Sequence, residues 1–290
     1  MANVFAQSNV VAKTAASMLK AELVLGRLVH RSAESEFMGG RGDTVRVRVP
    51  HVIEAKPFTG STSAVTKTLN EQVVPVVLTT HAMNGVELTA KDTSLNIESF
   101  GAQVLAPQVA GVAEMIEGEI ARVMQPAVTS ATLTIDVKNP RDAITKAGEI
   151  LDSRKVGAKT RVLVVSPNVK RALLMDPNLS QADSAGSTSV LQDAIVGRLH
   201  GFDVFMSPYI ADGAVAMTKE AYAAAIVAPI KPESATGSSA VDDDNQGYAM
   251  TVWMGLDVET RQERSICEAF VGATVLDVNR AVGLKFNAPA

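Results

Sequence analysis

The residues that most often carry catalysis or bind metals are few in this chain and lie far apart. Its four histidines, His30, His51, His81 and His200, are nowhere within two to four positions of one another. A zinc site would therefore have to be assembled from distant segments. The only cysteine, Cys267, has no recognisable partner in the neighbouring sequence and is typical of a small buried apolar residue. We predict no catalytic residue and no metal ligand.

Two short segments resemble ligand-binding loops but lack the residues that such loops require. Residues 242–247 read Asp-Asp-Asp-Asn-Gln-Gly, yet the twelfth position of a calcium loop starting there would be Trp253 instead of a glutamate. The glycine-rich stretch 39–42 precedes a predicted strand, whereas a phosphate-binding loop leads into a helix. The sequence therefore predicts no cofactor and no enzyme. An α+β enzyme of an unrecognised type is the alternative from a different class.

Composition favours one large or two ordinary domains with an aliphatic core. The chain has 290 residues, of which 47% are hydrophobic but only 4% aromatic. The net charge of −4 disfavours tight binding to nucleic acid, because Lys and Arg must neutralise phosphates. The longest apolar run, 221–230, contains Pro229 and is about half of the ~20 residues that a membrane span needs. With one cysteine and no apparent signal peptide, we expect folding inside a reducing cell and no membrane partner.

A long two-stranded arm is the most informative element of the sequence. Residues 45–49 alternate valine with arginine, which is typical of a strand with one buried face. A second β-rich run covers 73–80, and the intervening 54–72 is rich in Ser, Thr, Gly and Lys. An isolated hairpin is marginally stable in water, and this one has little of its own to bury. We predict that the arm, 43–80, lies on a neighbouring molecule. The residues predicted to make contacts between subunits are Arg46, Arg48, Glu54, Lys56, Phe58, Lys67 and Glu71.

The arm is followed by the longest helical pattern in the chain. Apolar residues recur at three- and four-residue steps over 94–124, which at ~1.5 Å per residue is roughly 45 Å of helix. Such a helix would be a spine across an elongated molecule. Pro107 should kink it and Pro126 should end it. Asn84-Gly85 predicts a tight turn before the spine.

The remaining segments predict an α+β mixture. Residues 8–29 form an amphipathic pattern with two interpretations: a helix packed on its own domain, or an arm that docks on a neighbour. Asn139-Pro140 is a favourable helix start, and 231–247 is predicted to be a polar loop. The β-rich runs cover 161–166, 203–207, 215–217, 224–230, 248–254, 256–261 and 270–278.

Three stretches in the right order carry a resemblance to a known family. Gly42-Asp43-Thr44-Val45 with Pro50 is similar to the start of that family's extended loop. Segments 73–76 and 86–89, followed by 97–100 and 105–107, resemble its return strand and the beginning of its spine helix. The turn between Gly197 and Gly201, with Phe202-Asp203-Val204 and Ser207 after it, is similar to a turn in its axial domain. The family is that of the major capsid (coat) proteins of tailed bacteriophages with the Hong Kong 97-like fold, closest to the coat proteins of short-tailed phages.

The resemblance covers about residues 1–285 and implies a division of the chain. It implies an N-terminal arm and helix (1–42), an extended hairpin loop (43–80), a peripheral domain with the spine (81–159), an axial domain (160–250) and a return to the peripheral domain (251–290).

It also implies a function. The expected subunits form hexamers and pentamers of an icosahedral shell that encloses double-stranded DNA, which they contact weakly and without sequence specificity. Portal and scaffolding proteins are expected partners, and the expected location is the virion capsid after assembly in the host cytoplasm. A nanocompartment shell of the encapsulin type, which has the same fold, is the nearest alternative.

Overall fold

Five α-helices and thirteen strands make up the described part of a computed structural model of the chain. The described residues are 8–31, 42–49, 72–89, 100–176, 197–241, 248–257 and 262–287. The helices are α1 (Ser8–Glu22), α2 (Leu25–Leu28), α3 (Ala106–Thr129), α4 (Pro140–Ser153) and α5 (Pro167–Leu174), with a π-turn at Gly101–Leu105 and 3₁₀ turns at Lys219–Ala221 and Val278–Arg280. No helix among these residues is long and apolar enough to cross a membrane.

The strands form three sheets. They are β1 (Thr44–Val49), β2 (Gln72–Val77), β3 (Thr80–Leu88), β4 (Leu133–Asp136), β5 (Arg161–Val165), β6 (Arg198–Leu199), β7 (Phe202–Met206), β8 (Gly213–Thr218), β9 (Tyr222–Val227), β10 (Thr236–Val241), β11 (Ala249–Asp257), β12 (Gln262–Val275) and β13 (Ala281–Asn287). β1 and β2 pair as a ribbon, and a five-stranded sheet has the order β10-β11-β12-β3, with β9 added to β12. A six-stranded sheet has the order β4-β13-β8-β5-β7-β6. The predicted α+β class is confirmed.

The spine helix α3 holds the two large sheets together. Its apolar stripe packs on β12 and β3, while its C-terminal part lies against β8 and β13. The last turn approaches β13 so closely that a Cβ at Gly283 would overlap the carbonyl group of Ala127. The other face of the six-stranded sheet is covered by α4 and α5. The buried residues of the stripe are Val109, Val112, Ile116, Ile120 and Met124.

The prolines affect the spine differently from the prediction. Pro126 was expected to end the helix, but the helix continues to Thr129. One missing N–H is tolerated here, because the last turn is held by the burial of Val128 and by the Ser130 N–H bond to the Pro126 carbonyl. Pro107 lies in the first turn of α3, directly after the π-turn. Of the predicted spine, 94–99 lie outside the described residues.

Two local predictions are wrong. Asn84-Gly85 was predicted to make a tight turn, but both residues lie within the continuous strand β3, where Asn84 pairs with Cys267 and Gly85 with Ile266. Pairing along a full-length neighbouring strand overrides the local turn preference. The predicted loop 231–247 contains β10, which pairs with β11 for the same reason. The strand β13 has no counterpart in the prediction.

The sheets do not follow the predicted limits at 160–250 and 251–290. β9 and β10 fall within the first range and β11 spans the limit between the two ranges, yet all three strands belong to the same sheet as β12 and β3. β13 falls within the second range, yet it pairs with β8 and β4. The chain therefore crosses between the two sheets again after β12, which local sequence patterns do not reveal.

Candidate assembly surfaces

The root of the arm is a two-stranded ribbon with two unlike faces. β1 and β2 pair from Thr44 opposite Val77 to Val49 opposite Gln72. Val45 and Val47 are buried, while Arg46 and Arg48 point to the exposed face. The alternation predicted from the sequence is therefore present in the structure.

The buried face of the ribbon is seated on its own subunit. Val45, Val47 and Val76 form an apolar cluster with residues of β9 and with Leu276. The surface beneath them is made of small residues, namely Ala223, Ala225 and Gly272, and a Cβ at Gly272 would overlap the carbonyl group of Val77. The prediction that the arm has little to bury is thus wrong at its root. Distant strands supply the small residues, so the neighbouring sequence gives no sign of them.

A polar link fixes the place where the ribbon meets the spine helix. The Thr79 hydroxyl donates to Glu119 at 3.2 Å, and the Arg122 guanidinium donates to the same carboxylate at 2.7 and 3.0 Å. The hydrogen bond from Arg122 lowers the pKa of Glu119. The Leu78 N–H also donates to the Asp43 carbonyl at 2.9 Å, which closes the base of the ribbon.

The opposite face of the ribbon is exposed and combines cationic with apolar side chains. Val73 and Val77 are 43% and 36% exposed, on the same face as Arg46 and Arg48. A shallow groove of about 400 Å³ runs between Thr44, Arg46, Val73 and Pro75. The other predicted contact residues, Glu54, Lys56, Phe58, Lys67 and Glu71, lie outside the described residues.

The two predicted axial glycines belong to a tight hairpin: Gly197 directly precedes β6, and Gly201 lies in the turn between β6 and β7. The central residues of this hairpin are His200 and Gly201, with φ of 47° and 85°. Two positive φ values in succession are typical of a type I′ turn, which matches the twist of the strands. Gly197 has φ of 66°, and its carbonyl accepts a hydrogen bond from the Val204 N–H at 2.9 Å. Both glycines therefore have a conformational reason for being glycine.

The N-terminal helices are part of the main core. Leu19, Leu23 and Leu25 are fully buried in the cluster that includes the spine helix. Of the two interpretations of 8–29, the structure favours packing on the chain's own domain. The predicted single helix is interrupted at Leu23-Val24, between α1 and α2.

A buried carboxylate of the spine holds this interruption in place. Glu117 is 4% exposed and accepts hydrogen bonds from the N–H groups of Val24, Leu25 and Gly26 at 2.8, 2.8 and 3.3 Å. These donors begin α2 and have no carbonyl partner within it. Burial raises the pKa of Glu117, and the three backbone donors oppose that effect. A glutamate inside an apolar helical stripe was the only sequence signal for this contact.

Gln108 makes a second buried polar link, between the spine and the five-stranded sheet. It is 1% exposed, and its amide donates to the Ser265 carbonyl at 2.6 Å. The Ser265 hydroxyl donates to the Gln108 side-chain oxygen at 2.9 Å. The register of the helix on β12 is thereby fixed. The sequence analysis did not identify this residue.

The outer face of the five-stranded sheet carries an apolar patch that we call the outer pad, composed of Trp253, Ile266 and Met83. Trp253 and Ile266 stand opposite each other on β11 and β12, flanked in the same row by Gly237 and Gly85. Both are half-buried, and Met83 in the next row is 57% exposed. In the described part of the chain, helices pack only on the opposite face of this sheet.

Glu268 anchors the edge of the outer pad. Its buried carboxylate accepts a hydrogen bond from the Trp253 indole N–H at 2.9 Å and lies 2.9 Å from His81 Nε2. The His81 ring in turn packs on Phe270, with ring centroids 4.5 Å apart. The indole is thus held in one orientation. Among the described residues, no group of three or more His, Cys, Asp or Glu side chains could hold a metal ion.

Comparison with known proteins gives the family. The profile of the family described as "Phage capsid protein" matches residues 73–268, more than half of the 290-residue chain. No curated protein matches the sequence.

Solved structures share the fold at low sequence identity. A chain of Mycobacterium phage Che8 is 17% identical with a TM-score of 0.65, and the match covers 90% of each chain. A chain from the mature capsid of bacteriophage PhiM1 is 14% identical with a TM-score of 0.58, over 86% of this chain and 84% of that one. A virus-like particle from Pyrococcus furiosus is 11% identical with a TM-score of 0.51, over 94% and 98%. At these identities the likeness shows the fold alone.

The family match decides between the readings that the sequence left open. It names phage capsid proteins, and the encapsulin-like alternative has no better support. The resemblance predicted from the ordered segments is therefore confirmed. The chain belongs to the phage capsid protein family and is a major capsid subunit, a structural protein of the shell with the Hong Kong 97-like fold.

Proposed function

We propose that this subunit assembles into hexamers and pentamers of an icosahedral shell around packaged double-stranded DNA, and that its arm overlaps an adjacent subunit. The proposed overlap of the arm with an adjacent subunit rests on one observation. The ribbon is fixed to its own subunit by one face, while Arg46, Val73 and Val77 on the other face are exposed. A ribbon that packs on its own subunit by one face and exposes an apolar and cationic face on the other fits a contact between copies.

The physics of ring closure supports such an arm. A contact between two different surfaces of the same chain closes into a ring when the rotation permits it. Each contact can be as weak as about −4 kcal/mol, which corresponds to millimolar affinity. Many such contacts reinforce one another in a closed shell. Weak contacts also allow misplaced subunits to leave before closure.

The two large sheets support a revised domain division. We assign the spine helix α3, the N-terminal helices and the five-stranded sheet to the peripheral domain. The six-stranded sheet with α4, α5 and the hairpin of Gly197 and Gly201 is assigned to the axial domain near each ring centre. The last strand, β13, then belongs to the axial domain.

The remaining partners follow from the proposed shell. We propose that portal and scaffolding proteins take part in assembly, that assembly occurs in the host cytoplasm, and that the chain catalyses no reaction. The net charge of −4 supports weak, non-specific contact with the packaged DNA. Purified subunits should bind duplex DNA poorly at physiological salt in a gel-shift assay. Tight binding with a steep salt dependence would contradict this.

Replacing residues 54–72 with a short turn tests the arm. Except for Gln72, the first residue of β2, the replaced residues lie beyond the seated root. The subunit should therefore keep its melting temperature but form no closed shells by electron microscopy. The matched control replaces the same residues with a Gly/Ser segment of equal length, which separates the loss of side chains from the loss of reach. Shells at normal yield from the shortened chain would show that the arm is not the intersubunit device.

A further inference from the structure

We propose that the interruption between α1 and α2 is a two-state joint controlled by the spine helix. With the Glu117 carboxylate in place, the two helices are separate and α1 is docked on its own subunit. When Glu117 withdraws, residues 8–28 join into one continuous helix and α1 leaves the body of the subunit. The joint operates within one chain and does not depend on the proposed shell.

The N–H groups at the interruption bond the spine carboxylate in place of their partners in a continuous helix. In an unbroken helix, the N–H groups of Val24, Leu25 and Gly26 would donate to the carbonyls four residues earlier. All three donate to Glu117 instead, with N–O distances of 2.8, 2.8 and 3.3 Å. The residue directly before them, Leu23, still makes its helical hydrogen bond at 3.1 Å. The break therefore begins at the first N–H group that Glu117 accepts.

The carbonyl groups left open at the end of α1 also have a substitute partner. The Arg27 guanidinium of α2 donates to the carbonyls of Lys20 and Ala21. In a continuous helix, these carbonyls would accept from the first N–H groups beyond the break. Glu117 and Arg27 thus replace, from the two sides, the backbone hydrogen bonds that the break removes. Because both forms satisfy these groups, the chain can exchange one for the other.

The local sequence favours the continuous form. The pattern of 8–29 predicts one amphipathic helix, and no proline interrupts it. Val24, at the break, has a φ of −100° and a ψ of −58°, close to those of a right-handed helix. A small change of the backbone is therefore enough to close the break. The broken form depends on the contact with α3 and not on the residues at the break.

The two sides of the joint are held unequally. α2 is anchored by the buried Leu25 and Leu28 and by His30, whose backbone pairs with β9. α1 packs on β10, β11 and α3 mainly through alanines, which bury little apolar surface. Straightening should therefore move α1 and leave α2 in place. The fully buried residues of α1 are Ala12, Ala15, Ala16 and Leu19.

The distance between two spin labels tests the joint in the full-length subunit. The labels are attached to Ser17→Cys on α1 and Thr145→Cys on α4, which are both exposed positions, and measured by double electron–electron resonance. The native Cys267 is buried, and burial raises its pKa to about 12, so it should remain unlabelled. We expect one distance in the parent chain. Glu117→Ala should add a second distance without loss of helical signal in the far-UV circular dichroism spectrum.

Glu114→Ala is the matched control. It removes the same charge from an exposed position about one turn earlier on the spine helix, and it should keep the single distance of the parent. An unchanged single distance in Glu117→Ala would overturn the proposal, as would an equal second distance in Glu114→Ala. A second distance accompanied by a loss of helical signal would also overturn it, because α1 would then unravel instead of joining α2.

Arg27→Ala covers the case in which Glu117→Ala does not fold. Arg27 is exposed, and its removal leaves the last carbonyls of α1 without their substitute donor, which favours the continuous helix. We expect the second distance again, in a smaller fraction of the subunits. Arg171→Ala, at an exposed position of α5, removes the same charge and should show the parent distance alone. If Arg27→Ala also kept only the parent distance, the two-state joint would be wrong. The proposed arm would be unaffected, because it is tested by shell formation in the shortened chain.

Discussion

From the sequence, the N-terminal helices and the arm could each have docked on a neighbouring subunit. In the structure, the helices and the ribbon at the root of the arm differ in how much of their surface packs on their own subunit. The helices α1 and α2 are integrated: their apolar face enters the main core, and Glu117 satisfies the N–H groups at their interruption. The ribbon is only half integrated, because one face is seated on small residues and the other is exposed. An amphipathic pattern shows that a face is buried, but it does not show on which molecule.

The N-terminal helices and the ribbon differ in whether an apolar surface remains exposed after each has packed on its own subunit. A helix whose apolar stripe is filled by its own core has only a polar face left. A ribbon with a buried valine face still presents Arg46, Val73 and Val77. The ribbon is therefore the part that can add a partner without giving up its own packing.

Gly272→Val should have the largest effect of the substitutions considered, because it removes the surface on which the ribbon packs. Any Cβ at this position would overlap the carbonyl group of Val77. Overpacking of this kind typically costs about 1–3 kcal/mol, and here the overlapping atom is backbone that cannot rotate away. We expect a lower free energy of unfolding in a denaturant titration and no closed shells by electron microscopy.

The control for this prediction is a glycine with free space around it. A Cβ at Gly118 of the spine helix would meet no heavy atom within 4 Å. Gly118→Ala should therefore raise stability by about 0.5–1 kcal/mol, because glycine is unfavourable inside a helix. If Gly272→Val matched the parent chain in both stability and shell yield, the ribbon would not be seated as described.

The sequence predicted the arm better than it predicted the arm's support. Alternating Val and Arg in 45–49 was sufficient to predict the strand and its two faces, because the period of two is a local property. The seat of Ala223, Ala225 and Gly272 comes from strands far along the chain. Small residues carry no local signal of a close approach, so the claim of little burial was wrong at the root.

Interactions between distant segments were the main source of error elsewhere. Asn84-Gly85 has a strong local turn preference, and only the pairing with β12 makes it extended. Glu117 occupies an apolar stripe, where its role depends on three N–H groups about ninety residues away. The order of the elements was nevertheless enough to predict the family, because order survives such local errors.

Glu117→Ala should weaken the integrated region by releasing its donors. Without the carboxylate, the N–H groups of Val24, Leu25 and Gly26 lose their partner in a buried place, which typically costs about 1–3 kcal/mol. Calorimetry should show a lower melting temperature, and limited proteolysis should cut first near the N-terminal helices. Glu117→Gln keeps one acceptor oxygen and should lose less. Equal loss from both variants would mean that the hydrogen bonds contribute little.

The pH dependence of stability tests whether burial or hydrogen bonding dominates at the Glu117 carboxylate. Burial raises the pKa of Glu117 above its ordinary value of 4.5, so the folded chain binds this proton more tightly than the unfolded chain. The parent chain should therefore gain stability relative to Glu117→Gln as the pH falls from neutral toward 4.5. The gain is limited to about 1.4 kcal/mol for each unit by which the pKa is raised. If the parent chain instead lost stability relative to Glu117→Gln over this pH range, the three backbone hydrogen bonds would lower the pKa of Glu117 by more than burial raises it.

Arg46→Glu should have the smallest effect on the fold and separates the two faces of the ribbon. Arg46 lies on the exposed face, opposite Pro75, and makes no ion pair with any residue in the described ranges. Its reversal should leave the melting temperature of the subunit unchanged, while the yield of shells falls because the charge faces a neighbour. Lys159→Glu, at an exposed loop position, makes the same change in net charge and should assemble normally. If both variants assemble alike, the cationic face of the ribbon is not a contact surface. If Arg46→Glu instead unfolds the subunit, the face described as exposed is holding the chain together.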